Sequence, residues 1–250
     1  MNGYKTLSGK RAVVWAHRGA SGYAPENTLE AFEKAVEMNA DGVETDVYFS
    51  ADGKIVICHD ESIDRVSNGQ GKVTEYTLEE LKKFDFGVKF YSGERKGIRL
   101  PSLDELYDLY KNNDMVVNVE VKSPHPDMPA ALINKAKEFG ISDRVVYSSF
   151  NHLQLRRILE IDSGARVAPL YSGNWLDMDV YAENMKAFAI HPHLAQIRTF
   201  TTLVADCHAK GIAVNPWTVN GEPEIADMLN AGCDAIITNY PDRVISQLNK

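Results

Sequence analysis

The sequence predicts a closed α/β barrel of the (β/α)8, or TIM barrel, type with a small insertion after the second strand. Two observations lead to this prediction. Eight short apolar segments alternate with eight amphipathic helical segments, and 250 residues suit one large α/β domain better than two. Repeated strand-then-helix units imply parallel strands with right-handed crossovers, and this number of units favours a closed barrel over an open sheet. We therefore expect a single domain over residues 1–250.

The predicted strands and helices alternate in order along the chain. Strands are predicted at 12–16, 42–47, 115–121, 145–149, 166–170, 187–190, 212–216 and 235–238. Helices are predicted at 27–39, 102–112, 129–139, 152–161, 177–184, 199–209, 222–231 and 241–248. Asn27 and Glu30 have the spacing of a capping box at the start of the first helix. Ser102 and Glu105 repeat this spacing, and Pro241 suits a first helical turn.

One interval interrupts this alternation. The chain between the second strand and Ser102 is far longer than a crossover needs. Within it, Asp52-Gly53 between two short apolar segments indicates a β-hairpin, and Thr77 opens a short helix over 77–84. We therefore predict an inserted lid or subdomain at about 48–100, which carries His59 at the end of the hairpin's return strand.

Composition restricts the class of protein and its partners. A formal net charge of −8 argues against nucleic acid as a partner, so a pocket for an anionic substrate must be made positive locally. No segment approaches the length of a membrane span, and we expect no integral membrane association. The N-terminus lacks the apolar core of a signal peptide. The three cysteines are odd in number and far apart, which is typical of buried thiols in a reducing compartment. These features favour the cytoplasm.

Carboxylates repeat on one face of two predicted strands. Glu44 and Asp46 point to the same side because strand side chains alternate, and Glu120 with Lys122 repeats the pattern on the third strand. At the carboxyl ends of barrel strands such residues converge on one mouth. Three carboxylates there form an all-oxygen site that suits Mg²⁺, Ca²⁺ or Mn²⁺ rather than Zn²⁺. The alternative for Glu44 and Asp46 is the solvated face of an antiparallel edge strand.

Histidines and basic residues accompany these carboxylates. His17 ends the first strand, and imidazoles such as His17 and His59 can exchange protons with attacking and leaving oxygens near neutral pH. Arg18 and Lys122 can neutralise phosphoryl oxygens. Trp217, after the seventh strand, is predicted either to floor the pocket or to pack at the barrel rim. Together these groups form a set suited to phosphodiester hydrolysis.

The chain closely resembles the glycerophosphodiester phosphodiesterases through an ordered set of motifs along nearly its whole length. Each motif alone is unspecific, whereas the ordered set is specific. The motifs are His17-Arg18-Gly19, Pro25-Glu26-Asn27-Thr28, Glu44-Thr45-Asp46, His59-Asp60, Asn118-Val119-Glu120-Val121-Lys122, Trp217-Thr218-Val219-Asn220 and Ile237-Thr238-Asn239-Tyr240-Pro241-Asp242. One position departs from the family's pattern, because many relatives carry aspartate where this chain has Asn239. Since Asn239 lies outside the carboxylate triad, we expect the chemistry to be unaffected.

The resemblance implies the barrel with its insertion and assigns roles to the site residues. It implies one divalent cation on Glu44, Asp46 and Glu120. It implies His17 and His59 as the acid/base pair, with Arg18 and Lys122 on the phosphate. The expected reaction is metal-dependent hydrolysis of a small-molecule glycerophosphodiester to sn-glycerol 3-phosphate and an alcohol, through a cyclic phosphate formed by the adjacent glycerol hydroxyl.

Two other interpretations are considered. A lysophospholipase D-type enzyme, which acts on a lipid with one acyl chain, needs an apolar trough near the mouth, and the sequence contains no obvious exposed apolar run. A non-catalytic barrel that binds phosphate esters would be marked by the loss of a histidine or carboxylate, and none is lost. The head group, the physiological metal and the oligomeric state are not determined by the sequence.

Overall fold

Eight parallel strands form a nearly closed barrel with helices between them. The computed structural model describes residues 11–95 and 97–249. The strands are β1 (Val13–His17), β2 (Gly42–Phe49), β3 (Ile55–Ile57), β4 (Val116–Val121), β5 (Val145–Ser149), β6 (Arg166–Tyr171), β7 (Ala189–Pro192), β8 (Ala213–Val214) and β9 (Ala235–Thr238). Their order around the barrel is β8-β7-β6-β5-β4-β2-β1-β9, and β3 pairs antiparallel with β2.

Backbone hydrogen bonds bring the two ends of this strand order together. The N–H of Ile237 in β9 donates to the carbonyl of Pro216 over 3.1 Å, and the N–H of Asp234 donates to the carbonyl of Val214 over 2.9 Å. These hydrogen bonds join the two ends of the sheet, so few backbone groups at its edges are left unpaired, as expected of a closed barrel. The predicted fold class is therefore confirmed.

The helices alternate with the strands and follow the predicted order. They are α1 (Leu29–Glu37), α2 (Leu78–Leu81), α3 (Leu103–Tyr110), α4 (Met128–Glu138), α5 (His152–Ile161), α6 (Met178–Met185), α7 (Leu194–Thr199), α8 (Leu203–Ala209), α9 (Glu222–Asn230) and α10 (Pro241–Leu248). The capping box of Ser102 and Glu105 and the first-turn position of Pro241 are confirmed. Within the two described ranges, no helix has the length and apolarity to cross a membrane.

Two predicted helix boundaries are wrong. The N-cap of α1 is Thr28, whose hydroxyl accepts from the N–H of Ala31, rather than Asn27. The predicted helix over 199–209 begins only at Leu203, as α8, and α7, which precedes it, was not predicted. The β-branched Thr201 and Thr202 disfavour helix, which agrees with the later start.

The barrel interior changes from apolar to polar along the strands. At one level Trp15 of β1 packs against small side chains that leave room for its indole: Ala168, Ala189, Ala213 and Ala235. Because inward-facing positions recur every second residue, the next inward position after Trp15 is His17. On β2 and β4, the same two-residue spacing leads from Gly42 to Glu44 and from Val116 to Asn118. The apolar layer thus supports a polar layer at the carboxyl ends of the strands.

The inserted segment after β2 contains a small apolar cluster that is separate from the main core. Its buried members are Val56, Cys58, Ile63, Val73, Leu81, Phe86 and Leu100. The predicted hairpin is present, with Val47 opposite Ile57 across β2 and β3. The return strand ends at Ile57, so His59 lies two residues beyond it rather than at its end. The N–H of Cys58 donates to the carbonyl of Asp46 over 3.0 Å, which holds His59 at the barrel mouth.

Candidate active site

Polar residues of three adjacent strands, β1, β2 and β4, meet at one level of the barrel mouth. In the parallel pairing, His17 lies opposite Glu44, Glu44 opposite Asn118, and Asp46 opposite Glu120. Side chains at matched positions of parallel strands point to the same face. The edge-strand alternative for Glu44 and Asp46 is therefore excluded, because β2 is flanked by β1 and β4.

The carboxylates of Glu44, Asp46 and Glu120 form a compact buried cluster. One oxygen of each lies within 4.8 Å of the others. Burial raises the pKa of Glu44 well above its usual range, and the negative charges of Asp46 and Glu120 raise it further. Burial and the charge of Asp46 raise the pKa of Glu120 to about 7. Three carboxylates this close cannot all ionise without compensating positive charge.

The donor atoms of this cluster fit a hard divalent cation. Two buried oxygens, Asp46 Oδ1 and Asn118 Oδ1, accept no hydrogen bond from any described residue. Buried oxygens without a hydrogen-bond donor are what a cation with oxygen ligands would bind. Asn118 therefore adds a fourth candidate ligand that the sequence analysis did not assign. Its position two residues before Glu120, on the same strand face, is the signal that would have identified it.

Two basic side chains lie against the carboxylates. Lys122 Nζ is 2.6 Å from Glu120 Oε1 and 3.4 Å from Asp46 Oδ1, and Arg18 Nε is 3.5 Å from Asp46 Oδ2. Burial alone would raise the pKa of Asp46, but Lys122 and Arg18 hold it below its usual value. Burial would likewise lower the pKa of Lys122 and of Arg18, yet the neighbouring carboxylates raise both. Asp46 and the two basic side chains therefore stabilise one another's charged forms, which offsets the free-energy cost of burying each charge alone.

A tight turn after β1 directs the backbone of Arg18 into the site. Arg18 has a φ of 55° and Gly19 a φ of 76°, and the N–H of Arg18 donates to Glu44 Oε2 over 3.0 Å. A side chain at Gly19 would place its Cβ 2.6 Å from the backbone carbon of Ala31. Only glycine fits this close approach to α1. A non-glycine residue held in the left-handed region, as Arg18 is, is characteristic of functional sites.

His17 and His59 are oriented by partners of different charge. Asn239 Oδ1 can only accept, so the His17 Nδ1–H donates to it over 2.7 Å, and Nε2, which is 3.9 Å from Glu44 Oε2, keeps its lone pair. Burial and the charge of Arg18 lower the pKa of His17 to about 4. His59 Nδ1 is 2.6 Å from Asp60 Oδ1. Burial also lowers the pKa of His59, because it outweighs the nearby carboxylates.

Asn239 and Asn27 support the site from outside the carboxylate triad. Asn239 was predicted to lie outside the carboxylate triad, and the structure places its amide directly on His17. Asn27 has a φ of 57°, and its Nδ2–H donates to Asp46 Oδ2 over 2.8 Å. The hydroxyl of Thr45 donates to Asn27 Oδ1 over 3.0 Å, which fixes the orientation of the amide. Asn27 is thus a positioning residue for Asp46 rather than a helix cap.

A chain of alternating charges connects the insertion to the barrel. Arg65 Nε donates to Asp60 Oδ2 over 2.5 Å. Its two Nη groups grip both oxygens of Glu26 over 2.7 and 2.9 Å. Glu26 Oε1 also accepts from Arg18 Nη1 over 3.0 Å. Glu26 and Asp60 lie within the sequence motifs, whereas Arg65 was not predicted, because a lone arginine in a loop carries no periodic signal.

A small pocket of about 50 Å³ opens above the carboxylates. Trp217 and Phe150 form one wall, with ring centroids 5.5 Å apart and the rings nearly perpendicular. The indole N–H of Trp217 donates to the carbonyl of His191 over 2.9 Å. Lys122 Nζ lies 5.8 Å from the centroid of the Phe150 ring. Of the two positions considered for Trp217, the structure therefore places it at the pocket.

The fold and the site together define a class of protein. It is a (β/α)8 barrel whose mouth holds an oxygen-donor cluster for a hard cation, two imidazoles, and two cationic side chains that suit phosphate. Residues 17–243 match the glycerophosphoryl diester phosphodiesterase family. The chain belongs to this family of phosphoric diester hydrolases, and the resemblance found in its motifs is confirmed.

Individual relatives agree with this assignment over nearly the full chain. The chain is 39% identical over 244 residues to a glycerophosphodiester phosphodiesterase of Caldanaerobacter subterraneus subsp. tengcongensis, covering 96% of this chain and 99% of that protein. An Oleispira antarctica phosphodiesterase, solved with its product sn-glycerol-3-phosphate, has a TM-score of 0.88 at 29% identity, with 96% and 98% of the two chains covered. A glycerophosphodiester phosphodiesterase from Agrobacterium tumefaciens has a TM-score of 0.82 at 26% identity, with 94% and 99% covered.

Proposed function

We propose that this enzyme hydrolyses glycerophosphodiesters to sn-glycerol 3-phosphate and an alcohol, and that it requires one divalent cation. The observation that carries the proposal is the buried cluster of Glu44, Asp46 and Glu120, whose oxygens lie within 4.8 Å of one another. The phosphodiesterase of Oleispira antarctica, solved with the product sn-glycerol-3-phosphate, supports the same product here.

The three carboxylates, together with the amide oxygen of Asn118, would hold the cation. A bound Mg²⁺, Ca²⁺ or Mn²⁺ supplies Lewis acidity, which polarises a phosphoryl oxygen and offsets its charge. Arg18 and Lys122 bind the phosphate, the first as a planar fork and the second as a point charge. Trp217 lines the apolar side of the pocket and packs against the carbon skeleton of the substrate.

The two imidazoles carry the protons. One of His17 and His59 accepts the proton of the glycerol 2-hydroxyl as that oxygen attacks phosphorus, and the other protonates the leaving alkoxide. The phosphorus–oxygen bond to the alcohol breaks, and a five-membered cyclic phosphate remains. In the second half-reaction the two histidines exchange roles, and water opens the ring to give sn-glycerol 3-phosphate. Each ring is already oriented through Nδ1, by Asn239 and by Asp60 respectively.

The inserted segment contributes one of these two histidines, so we propose that it is a functional part of the enzyme. The net charge of −8 and the small pocket support a small-molecule diester rather than nucleic acid as the substrate. Buried free thiols at Cys58, Cys207 and Cys233 support the cytoplasm as its compartment.

An assay of both products tests the proposal. Purified enzyme is incubated with glycerophosphodiesters of several alcohols and with each metal. sn-Glycerol 3-phosphate is then measured by a coupled enzyme assay, and the free alcohol by chromatography. We expect equal amounts of the two products. Release of glycerol and a phosphorylated alcohol instead would mean that the other ester bond is cleaved. No turnover with any metal would contradict the proposed function.

A further inference from the structure

Two buried polar side chains at the floor of the active-site pocket take no part in the proposed proton transfers. Ser148 of β5 and His191 of β7 are fully buried, and both line the pocket. Ser148 lies opposite Glu120 in the pairing of β4 with β5, so its side chain shares the inward face of that carboxylate. His191 lies opposite Leu170, which also lines the pocket. The two side chains therefore continue the polar layer around the barrel, beyond the strands that carry the carboxylates.

One polar atom of each side chain is unused. Within the part of the chain that the structure describes, no hydrogen bond reaches Ser148 Oγ or His191 Nδ1. A buried hydroxyl or ring nitrogen without a partner lowers stability unless a ligand or a water molecule supplies the missing hydrogen bond. Because both atoms belong to side chains that line the pocket, they indicate that a polar group of a ligand lies at its floor.

The hydrogen-bonding role of His191 is determined by Asn215. The N–H of Ala235 donates to Asn215 Oδ1 over 3.2 Å, which identifies the amide oxygen. The amide nitrogen of Asn215 therefore faces His191 Nε2 and donates to it over 3.0 Å. Because Nε2 accepts, the ring proton lies on Nδ1. His191 thus presents a neutral N–H donor at the floor, where the hydroxyl of Ser148 can either donate or accept.

The floor suits a neutral hydroxyl group better than an anion. Two residues beyond the apolar layer, five inward positions carry no formal charge: Ser148, Leu170, His191, Asn215 and Ile237. The cationic groups of Arg18 and Lys122 lie against the carboxylates instead. A phosphate oxygen at this floor would lack a counter-charge. A hydroxyl group can accept from the Nδ1–H of His191 and donate to Ser148 Oγ, which gives both unused atoms a partner.

The glycerol unit of the substrate provides such a hydroxyl. Its 2-hydroxyl attacks phosphorus in the proposed reaction, whereas the 1-hydroxyl, one carbon further along, has no role in the chemistry. The pocket volume of about 50 Å³ exceeds the space that one water molecule needs, so a hydroxymethyl group can reach the floor. In-line displacement places the leaving oxygen opposite the attacking one. A glycerol unit at the floor therefore leaves the departing alcohol at the open end of the pocket.

We propose that Ser148 and His191 bind the 1-hydroxyl of the substrate's glycerol unit, and that they thereby select glycerol over other 1,2-diols esterified to the phosphate. The Nδ1–H of His191 donates to the hydroxyl oxygen, and the hydroxyl donates to Ser148 Oγ. Both are specificity-determining residues, since neither exchanges a proton with the reacting atoms. This inference rests on the proposed phosphodiesterase function.

Two substrates that differ in one hydroxyl test the proposal with the metal-loaded enzyme. The first is sn-glycero-3-phosphoethanol. The second is the corresponding diester of (R)-propane-1,2-diol, in which a methyl group replaces the hydroxymethyl group and the attacking 2-hydroxyl is kept. A site that hydrogen-bonds a substrate hydroxyl discriminates against an analogue that lacks it, because the polar groups of the site are then left unpaired. We expect kcat/KM to be at least about ten-fold higher for the glycerol diester.

A conservative variant locates the effect. Ser148→Ala removes the acceptor and keeps the Nδ1–H of His191, so the ratio of the two kcat/KM values should fall by about three-fold or more. The matched control is Ser149→Ala, at the next buried serine of β5, whose hydroxyl donates to the carbonyl of Val121 over 2.7 Å and lies outside the pocket. A purely structural effect lowers both kcat/KM values together, so the control should leave their ratio unchanged.

The two measurements can each overturn the inference. A wild-type ratio below about ten-fold is the result expected if water, and not the substrate, occupies the floor. This ratio decides the question even if circular dichroism shows that Ser148→Ala does not fold. A ratio that Ser148→Ala lowers by less than about three-fold would likewise contradict the assignment. In both cases hydrolysis of the glycerol diester leaves the proposed function intact, whereas no hydrolysis of either diester would overturn the proposed function itself.

Discussion

At the scale of single residues, the site relies on neutral amides as well as on charges. Asn239 holds the Nδ1 proton of His17 without adding a negative charge, and Asn27 supports Asp46 in the same manner. These amides orient their partners and leave the charge balance of the cluster to Arg18 and Lys122. Such orientation matters because proton transfer requires the donor and acceptor atoms to be in place beforehand.

Replacing either histidine should remove most of the turnover. His17→Ala and His59→Ala are each expected to lower kcat by roughly 10²–10⁴-fold, the usual scale for a positioned acid or base, while KM changes far less. Steady-state kinetics of sn-glycerol 3-phosphate release measures both parameters. His125→Ala, at an exposed histidine on the loop after β4, is the control. A near-normal kcat in His59→Ala would show that the insertion's histidine takes no part in the chemistry.

A buried histidine should make the stability of the fold sensitive to acid. Asn215 Nδ2 donates to His191 Nε2 over 3.0 Å, and burial lowers the pKa of His191 from 6.5 to about 3. Between these values the unfolded chain binds a proton that the folded chain does not, so stability falls as the pH falls from 6.5 towards 3. In this range the wild-type free energy of unfolding should fall by up to about 1.4 kcal/mol per pH unit more than that of His191→Gln.

Urea unfolding of both proteins at several pH values measures this difference in slope. If the free energies of unfolding of the two proteins changed equally with pH over this range, His191 would not be held neutral in the folded protein.

At the scale of elements, the insertion and the barrel both contribute residues to the candidate active site. His59 follows β3 on the insertion, His17 ends β1, and Arg65 connects Asp60 beside His59 to Glu26 near Arg18. The two hydrogen bonds between Arg65 and Glu26 fix the relative orientation of these side chains and also pair their opposite charges. The insertion is therefore oriented by the same network that orients Arg18, the arginine proposed to bind phosphate.

Removing Arg65 should misplace His59 without unfolding the barrel. Arg65→Met leaves Asp60 and Glu26 without their shared counter-charge, and kcat is expected to fall by roughly ten-fold or more, because small misplacements of reacting groups are costly. Arg65→Lys restores the charge but not the fork, so partial recovery is expected. Arg95→Met is the matched control, because Arg95 also connects the insertion to the barrel, through Glu30 of α1, but does not contact Asp60. Equal losses of kcat in Arg65→Met and Arg95→Met would mean that either ion pair between the insertion and the barrel supports activity equally, and that the contact of Arg65 with Asp60 has no specific role.

The strands and most helices could be predicted because each has a local periodic pattern. β4, for example, alternates Val117, Val119 and Val121 with Asn118 and Glu120, which fixes the face of each side chain. The start of α8 at Leu203, the unpredicted α7 and the N-cap at Thr28 depend on competing local preferences that spacing alone does not rank.

At the scale of the whole molecule, the barrel brings together residues that are far apart in the chain. Glu44, Asp46 and Glu120 meet because β2 and β4 are adjacent, parallel and in register. Parallel topology could be inferred from the alternation of strands and helices, which is why the sequence predicted the carboxylate triad correctly as a cluster. The contacts of Arg65 and Asn239 depend on side-chain reach across loops, which no sequence period encodes.

The substrate's own hydroxyl is expected to act as the nucleophile. Attack by the glycerol 2-hydroxyl makes the first step intramolecular, which contributes as much as about 7–11 kcal/mol in well-oriented cases. An analogue that lacks only this hydroxyl should therefore inhibit competitively, with an inhibition constant close to the KM of the parent, and scarcely turn over. Hydrolysis of the deoxy analogue at a rate comparable to that of the parent would mean that water attacks phosphorus directly.

Dependence on a hard divalent cation is the central claim, and metal reconstitution tests it most directly. Chelator-treated enzyme is assayed for sn-glycerol 3-phosphate release before and after addition of Mg²⁺, Ca²⁺, Mn²⁺ or Zn²⁺, beside Glu120→Gln and the control Glu61→Gln at an exposed carboxylate of the insertion. The metal-free enzyme should be inactive and should recover with a hard cation, and Glu120→Gln should need much more metal than Glu61→Gln. Full activity of the metal-free enzyme, or recovery with Zn²⁺ alone, would contradict the account.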